Sequence, residues 1–288
     1  MNNITIKSSS KINLFLSIGK RLPNGYHKIS SVFSEINVSD ILNMKKIINN
    51  EIIIKSDVPE INNRENTAYK AAALIKKKFN IKSGIEIKII KKIPIGAGLG
   101  GGSGNAAVAI IELNRLFNLG LNKNKMKKIA SEIGSDVPFF IEGGACIVSG
   151  IGEKVKKIKS KAKLNLLVIK PKTGISTNWA YNKLDKCNKK GKNSNQKKKQ
   201  YNLIKALKSG NIKKISENMH NDFEPIIERK SPIIKKIKSD LVKSGALNSM
   251  LTGSGSAVFG IFKDKKAASS AYKSLKRKHK TIFLTKTL

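Results

Sequence analysis

The chain has 288 residues, 40% of them hydrophobic, enough for a sizeable core in one large domain or two ordinary ones. Its formal net charge is +38, from 57 lysines and arginines against 19 aspartates and glutamates. Two well-separated cysteines, Cys146 and Cys187, exclude a disulfide framework and a cysteine metal site, and no signal-like start or 18-residue apolar run points to secretion or a membrane. The expectation is a cytoplasmic protein, monomeric or homodimeric. Arginine occurs only at positions 21, 64, 115, 229 and 277. Specific nucleic-acid sites favour arginine for bidentate and stacked contacts. Lysine is instead spread through the chain beside Asn and Ile, a pattern of A/T-rich codons. Weak nonspecific binding to nucleic acid at low salt is expected, and a specific nucleic-acid partner is not.

Residues 5–18 read as a strand that bends at Ser8-Ser9-Ser10 and resumes at Lys11. Lys11 opens an apolar run, where a lysine is either a solvated edge residue or one turned into a site. Pro23-Asn24-Gly25 signals a turn. Tyr26 and His27 follow it. They are either packing or a stacking ring beside a donor–acceptor imidazole suited to a base. A strand over 29–38 and two shorter ones within 41–55 come next, then a helix over 68–79 announced by Asn66-Thr67. A β-branched strand over 85–93 leads into residues 94–107, of which six are glycine, and then into an apolar helix over 105–117. Residues 123–133 form an amphipathic helix. Asp136 sits in Gly-Ser-Asp-Val-Pro, where an aspartate before proline is a natural helix cap or, equally, a functional carboxylate.

The second half begins with a strand over 145–149 and a lysine-rich connection over 154–163, which suggests domains at 1–158 and 159–288. A buried strand over 164–171 precedes the segment 173–181, which ends in Tyr181. Residues 184–200 are low in complexity and rich in lysine, and are expected to be a mobile surface loop. His220-Asn-Asp-Phe-Glu-Pro225 reads as a helix-packing corner. A helix over 231–243, a Gly253-Ser254-Gly255 turn feeding a strand to residue 262, a helix over 264–278 and a strand over 281–284 complete the chain.

The glycine-rich stretch is the strongest single signal. Glycine lets a backbone approach a ligand closely, and the bare N–H groups of a helix start favour an anion. A flexible linker fits poorly between two apolar elements. Gly96-x-Gly98-x-x-Gly101 satisfies a dinucleotide fingerprint, but no strand follows the helix to supply the ribose-binding acid. A Walker A loop would need a lysine after Gly102. What remains is Pro94-Ile95-Gly96-Ala97-Gly98-Leu99-Gly100-Gly101-Gly102-Ser103-Gly104, which resembles the phosphate loop of the GHMP kinase superfamily. Lys11-Ile-Asn-Leu-Phe-Leu, Asn24-Gly25-Tyr26-His27 and Gly134-Ser-Asp-Val-Pro-Phe-Phe140 extend the resemblance, and Leu251-Thr-Gly-Ser-Gly-Ser256 is similar to the third superfamily motif. Lys11-Ile-Asn-Leu-Phe-Leu with Asn24-Gly25-Tyr26-His27 and Ser31-Val-Phe33 resembles the N-terminus of the branch acting on 4-diphosphocytidyl-2-C-methyl-D-erythritol.

That resemblance implies an α+β fold of two lobes with the active site in the cleft between them. It also implies ATP with Mg²⁺ and transfer of the γ-phosphoryl group to the substrate 2-hydroxyl in isoprenoid precursor synthesis. It assigns Lys11 and Asp136 to catalysis and residues 94–104 to ATP. Asn13, Tyr26, His27 and Tyr181 go to the cytidylyl substrate, and Gly253, Ser254 and Gly255 to the cleft border. No metal ligand is assigned. One departure stands out: Gly104 replaces a serine usual in this loop, and a lost hydroxyl could weaken a phosphate contact. Homoserine and mevalonate kinases are the nearest rival activities, and a catalytically degenerate scaffold is a third reading.

Overall fold

Two long strands organise the first half. In the computed structural model, which describes residues 4–187 and 194–288, β1 (Ile4–Arg21) and β2 (His27–Ile47) pair antiparallel from Ile4↔Met44 to Arg21↔His27. The expected bend at the serines is a register shift between Ser9 and Ser10, and the strand runs on through it. Residues 41–47 are the far half of β2 and not a separate strand. Leu42 and Met44 keep the alternation of buried side chains going, so the strand continues as long as its face has a core to meet.

The other edge of β2 is shared. β4 (Gly84–Ile90) pairs with residues 41–47, and β5 (Ala145–Gly150) with 29–34. β3 (Ile52–Ser56) lies parallel to β4, and β6 (Lys154–Lys157) continues from β5, so the lysine-rich connection starts as an edge strand. Helices α1 (Thr67–Lys78), α2 (Gly101–Leu116), α3 (Lys123–Ile133) and α4 (Val137–Glu142) cover one face of this sheet. In α1 the buried residues Ala68, Ala71, Ala72 and Ile75 follow the helical repeat, and the Asn66 side chain caps the Ala68 N–H at 2.9 Å.

A second, antiparallel sheet has the order β11-β7-β10-β9, built from β7 (Asn165–Ile169), β9 (Asn248–Leu251), β10 (Val258–Phe262) and β11 (Ile282–Lys286). Alternation along β7 decides its two contacts. Leu166 and Val168 join Ile12 and Leu14 of β1 in a core between the sheets, while Leu167 and Ile169 face the outer helices. Burial of such a side chain is worth about 1.5–3 kcal/mol. Those helices are α5 (Thr177–Cys187), α8 (Glu224–Lys230), α9 (Pro232–Lys243) and α10 (Lys265–Leu275), with α6 (Ser194–Ser209) and α7 (Ile212–Glu217) packed on the inter-sheet core. Two pieces cross back to the first sheet: β8 (His220–Asn221) pairs with β1, and Thr287 bridges to Ile36.

The loop expected over 184–200 is mostly helix. Leu184 of α5 and Leu203, Ala206 and Leu207 of α6 are buried at helical spacing, while Lys186, Lys197 and Lys198 face water. Residues 188–193 of that stretch lie outside the described residues. No described helix is long and apolar enough to cross a membrane.

Candidate active site

Alternation along β1 places the first functional group. Ile12 and Leu14 point into the inter-sheet core, so Lys11 and Asn13 point the other way. Lys11 is only 4% exposed, on a strand flanked by β2 and β8, so it is no solvated edge lysine. Its ammonium donates to Asn13 Oδ1 at 2.7 Å, lies 4.6 Å over the Phe33 ring and stands 3.5 Å from Asp136 Oδ2. Burial pulls the Lys11 pKa below the usual lysine range, and the Asp136 carboxylate opposes that pull without cancelling it. Asn13 is largely occupied by the protein itself. Its Oδ1 also accepts from Thr252 Oγ1 at 3.1 Å, so it orients Lys11 as well as facing the cavity.

The glycine loop is held from below by a residue that sequence reasoning missed. Asp40, fully buried on β2, accepts from the Lys92 and Ile93 N–H groups at 2.8 Å each and pairs with the Lys91 ammonium. No sequence signal marks it, because an aspartate in a strand of mixed character looks like a surface residue. Beyond it, Gly98 and Gly100 adopt left-handed φ values of +76° and +71°. A Cβ on Gly98 would come within 2.4 Å of the Thr252 carbonyl oxygen, so glycine is required for the loop to reach the turn after β9. Helix α2 begins at Gly101, four residues before the expected start, with Gly100 as its N-cap. Gly101, Gly102 and Ser103 are therefore its first turn, whose N–H groups have no intrahelical acceptor. Gly104 lies on the far side of that turn. A Cβ there would meet the Ser9 carbonyl oxygen at 2.6 Å and Ser8 Oγ at 2.9 Å, so the residue faces β1 and lines neither cavity beside the loop.

Asp136 precedes α4 at its N-cap position, yet its side chain makes no cap hydrogen bond. The helix leaves the carboxylate free, and it turns to Lys11 at 30% exposure. The third segment arrives through the His220–Asp222 stretch, which does more than pack a corner. Asn221 Nδ2 donates to the Leu251 and Gly253 carbonyls at 2.9 Å each, and Glu224 accepts from the Leu251 N–H at 2.9 Å. Ala257 N–H bonds Ala97 O at 3.0 Å, and Lys11 N–H bonds Leu99 O at 2.9 Å. Strand start, glycine loop and third turn are thus tied together through backbone.

The loop forms a wall between two cavities. The smaller, of about 460 Å³, is lined by Pro94, Ile95, Gly96 and Ala97 together with Ile61, Asn66, Thr67 and Lys91. The larger, of about 810 Å³, contains Lys11, Asn13, Asp136, Gly253, Ser254, Tyr26, His27 and Tyr181. Gly98, Gly100 and Ser103 line both. Gly101 and Gly102 line only the smaller one; Leu99 also reaches it while 1% exposed, and Gly255 turns back toward Leu251 and Ile175.

The aromatic groups in the larger cavity differ from a simple pair of facing rings. Tyr26 is 57% exposed. Tyr181 stacks on the His27 imidazole with centroids 4.9 Å apart and an interplanar angle of 25°, and meets Phe223 edge-on at 4.9 Å. Burial and the Asp136 charge push the Tyr181 phenol up to about 12, so it stays protonated. His27 is held by a carboxylate that sequence reasoning also missed, Asp185 Oδ1 at 2.7 Å from Nε2.

Residues 66–144 match the GHMP kinases N terminal domain, and residues 203–281 match the GHMP kinases C terminal family. The chain is 40% identical over 284 residues to the 4-diphosphocytidyl-2-C-methyl-D-erythritol kinase of Caldicellulosiruptor saccharolyticus, covering 98% of this chain and 96% of the relative. It is 39% identical over 289 residues to that of Acetivibrio thermocellus, covering 100% of both. A crystal structure of 4-(cytidine 5'-diphospho)-2C-methyl-D-erythritol kinase superposes with a TM-score of 0.82 at 26% identity over 99% of each chain. Homoserine kinase from Cytophaga hutchinsonii shares the fold, with a TM-score of 0.78 at 19% identity over 100% of this chain and 95% of its own. End-to-end identity with these kinases, over a fold that carries both GHMP halves, means that this chain belongs to the 4-diphosphocytidyl-2-C-methyl-D-erythritol kinase family of the GHMP kinases.

Proposed function

We propose that this chain transfers the γ-phosphoryl group of ATP to the 2-hydroxyl of 4-diphosphocytidyl-2-C-methyl-D-erythritol, a step of isoprenoid precursor synthesis by the methylerythritol phosphate pathway. The observation that carries the mechanism is the shared wall: Gly98, Gly100 and Ser103 line both cavities, and the Lys11–Asp136 pair stands in the larger one. Adenosine belongs in the smaller cavity, with the triphosphate over the first turn of α2 and its end at the wall. The acceptor belongs in the larger cavity, its cytosine among Tyr26, His27 and Tyr181 and its hydroxyl beside Asp136. The lobes divide near residue 158, as the sequence suggests.

An alcohol is a poor nucleophile until something takes its proton. Asp136 is the group placed to accept it, and a positioned base contributes about 10²–10⁴-fold. Lys11, held by Asn13 and unable to leave its buried slot, orients the carboxylate and stabilises negative charge on the attacking oxygen and the moving phosphoryl group. The free N–H groups of residues 101–103 neutralise the triphosphate from the other side. The donor set fits Mg²⁺ bound mainly through phosphates and water: no cluster of three His, Cys, Asp or Glu side chains that could hold a metal occurs among the described residues, and Asp136 and the Ser103 hydroxyl are oxygens beside the shared wall that would hold it. When bound with the triphosphate, Mg²⁺ supplies further charge neutralisation.

The test is ADP release with 4-diphosphocytidyl-2-C-methyl-D-erythritol, homoserine and mevalonate offered separately. Turnover with the first alone is expected. Faster turnover with either of the others overturns the assignment.

A further inference from the structure

His27 and Asp185 form a pair that phosphoryl transfer does not require. An ionised carboxylate can only accept, so the 2.7 Å contact requires the proton on His27 Nε2. Arg21 Nη1 stands 4.0 Å from the other carboxylate oxygen. Stacking on Tyr181 fixes the plane of the imidazole, and Phe223 fixes Tyr181 in turn. In a neutral ring whose Nε2 carries the proton, Nδ1 has a lone pair and no hydrogen. His27 Nδ1 has no hydrogen-bond partner among the described residues and is not one of the sealed, unpartnered polar atoms, and the ring lines the larger cavity. The cavity is therefore offered an acceptor of fixed position.

Cytosine and uracil differ where such an acceptor reads them. Cytosine has an exocyclic amino donor, while uracil has a carbonyl oxygen at the same place. We propose that Asp185 is a specificity-determining positioning residue. By accepting the Nε2 proton of His27, it fixes the tautomer whose Nδ1 takes the cytosine amino group and rejects a uridylyl substrate. This rests on the assignment of the larger cavity to the cytidylyl group. Two facing acceptors in a confined site disfavour the wrong base on the order of 10–100-fold.

The experiment compares kcat/KM for the cytidylyl substrate and its uridylyl analogue in the wild type, Asp185→Ala and Asp185→Glu. It is combined with nitrogen NMR of ¹⁵N-histidine-labelled protein, whose three histidines are assigned with the aid of His27→Gln. The expected results are an Nε2–H tautomer for His27 at neutral pH in the wild type and a cytidylyl preference of tenfold or more. The preference should fall at least tenfold in Asp185→Ala and recover in Asp185→Glu. An Nδ1–H or doubly protonated ring in the wild type overturns the proposal. So does an equal loss of kcat/KM for both substrates in Asp185→Ala, which is what mere structural damage produces. A wild type inactive on both substrates but active on another alcohol would instead overturn the functional assignment.

Discussion

Replacing Lys11 by methionine should abolish turnover and make the protein more stable. The lysine stem is packed, with its Cγ 3.2 Å from where a Cβ on Gly100 would lie, so methionine fills the same slot. At neutral pH the folded state must hold an ammonium that is 4% exposed. A charge pair at 3.5 Å is worth about 5 kcal/mol at an effective dielectric of 20, and water reaching the 30% exposed Asp136 reduces this substantially. Desolvation of the ammonium opposes it with a penalty of several kcal/mol. The lowered pKa of Lys11 says that desolvation prevails.

Asp136 keeps its solvent after the change, so no buried charge is stranded. The expected gain is about 1–2 kcal/mol, or roughly 2–6 °C in Tm at pH 7. The sign with pH follows from the proton count. Below the folded-state pKa both states hold the proton and the penalty is complete. As pH rises through that value toward 10.5, the folded state sheds its proton first, and wild-type stability recovers relative to the variant. Scanning calorimetry between pH 7 and 10 should therefore show the Tm advantage of Lys11→Met shrinking with pH, while ADP release stays at least 100-fold down. A lower Tm at pH 7, or a gain independent of pH, would refute the reasoning.

Four further outcomes are expected. Asp136→Asn should reduce kcat by two or more orders of magnitude, with ATP binding by calorimetry retained; near-normal turnover removes it from the base role. Tyr26→Ala should raise KM for the cytidylyl substrate about tenfold or more and leave KM for ATP alone, since stacking is worth about 1–3 kcal/mol per base; equal changes in both would count against a cytosine shelf. Asn221→Asp should lower Tm by roughly 5–10 °C, because a carboxylate cannot donate to the Leu251 and Gly253 carbonyls; a Tm within 2 °C of wild type would show the turn held some other way. Gly104→Ser should destabilise by about 1–3 kcal/mol in denaturant titration without tightening ATP, because the new Cβ meets the Ser9 carbonyl and not a phosphate. Tighter ATP binding would place that hydroxyl at the nucleotide after all.

What could be read from the sequence was whatever local chemistry dictates. Glycines at 96, 98 and 100 permit positive φ, Asn66 caps, and the continuous apolar run within 164–171 reads as a buried strand. The α+β architecture and the convergence of Lys11 with Asp136 were expected only from the family resemblance that short local motifs carry; local chemistry alone left Lys11 an edge residue and Asp136 as readily a helix cap. Long-range pairing was not legible. Whether 41–47 continues β2 depends on a partner at 84–90, and whether Asp40 is a surface residue or a buried anchor depends on what passes beneath it. Asp185 was hidden for the same reason. It lies 158 positions from His27 and within a stretch whose lysine content masks the single buried Leu184 that makes it a helix.

The division between backbone and side-chain contacts also explains how this fold serves several kinases. Lys11 N–H to Leu99 O, Ala257 N–H to Ala97 O and the ladder between β1 and β2 use main-chain groups that any sequence can supply. The requirements on side-chain identity at this junction fall on a handful of positions: glycine at 98, where the chain touches Thr252, the Thr252 hydroxyl on Asn13, and Asn221 and Glu224 behind the turn. The fold itself is shared at 19% identity with the homoserine kinase neighbour. On the proposed assignment of the larger cavity, the choice of acceptor falls to groups that take no part in the latch. Tyr26 lies on the turn before β2, His27 opens β2, and Tyr181 and Asp185 lie on α5; the contacts of His27 with Tyr181 and Asp185 join the two halves of the chain at the larger cavity. Substitutions there should change the substrate and spare the phosphoryl-transfer geometry, whereas substitutions at the latch should weaken every activity of the chain together.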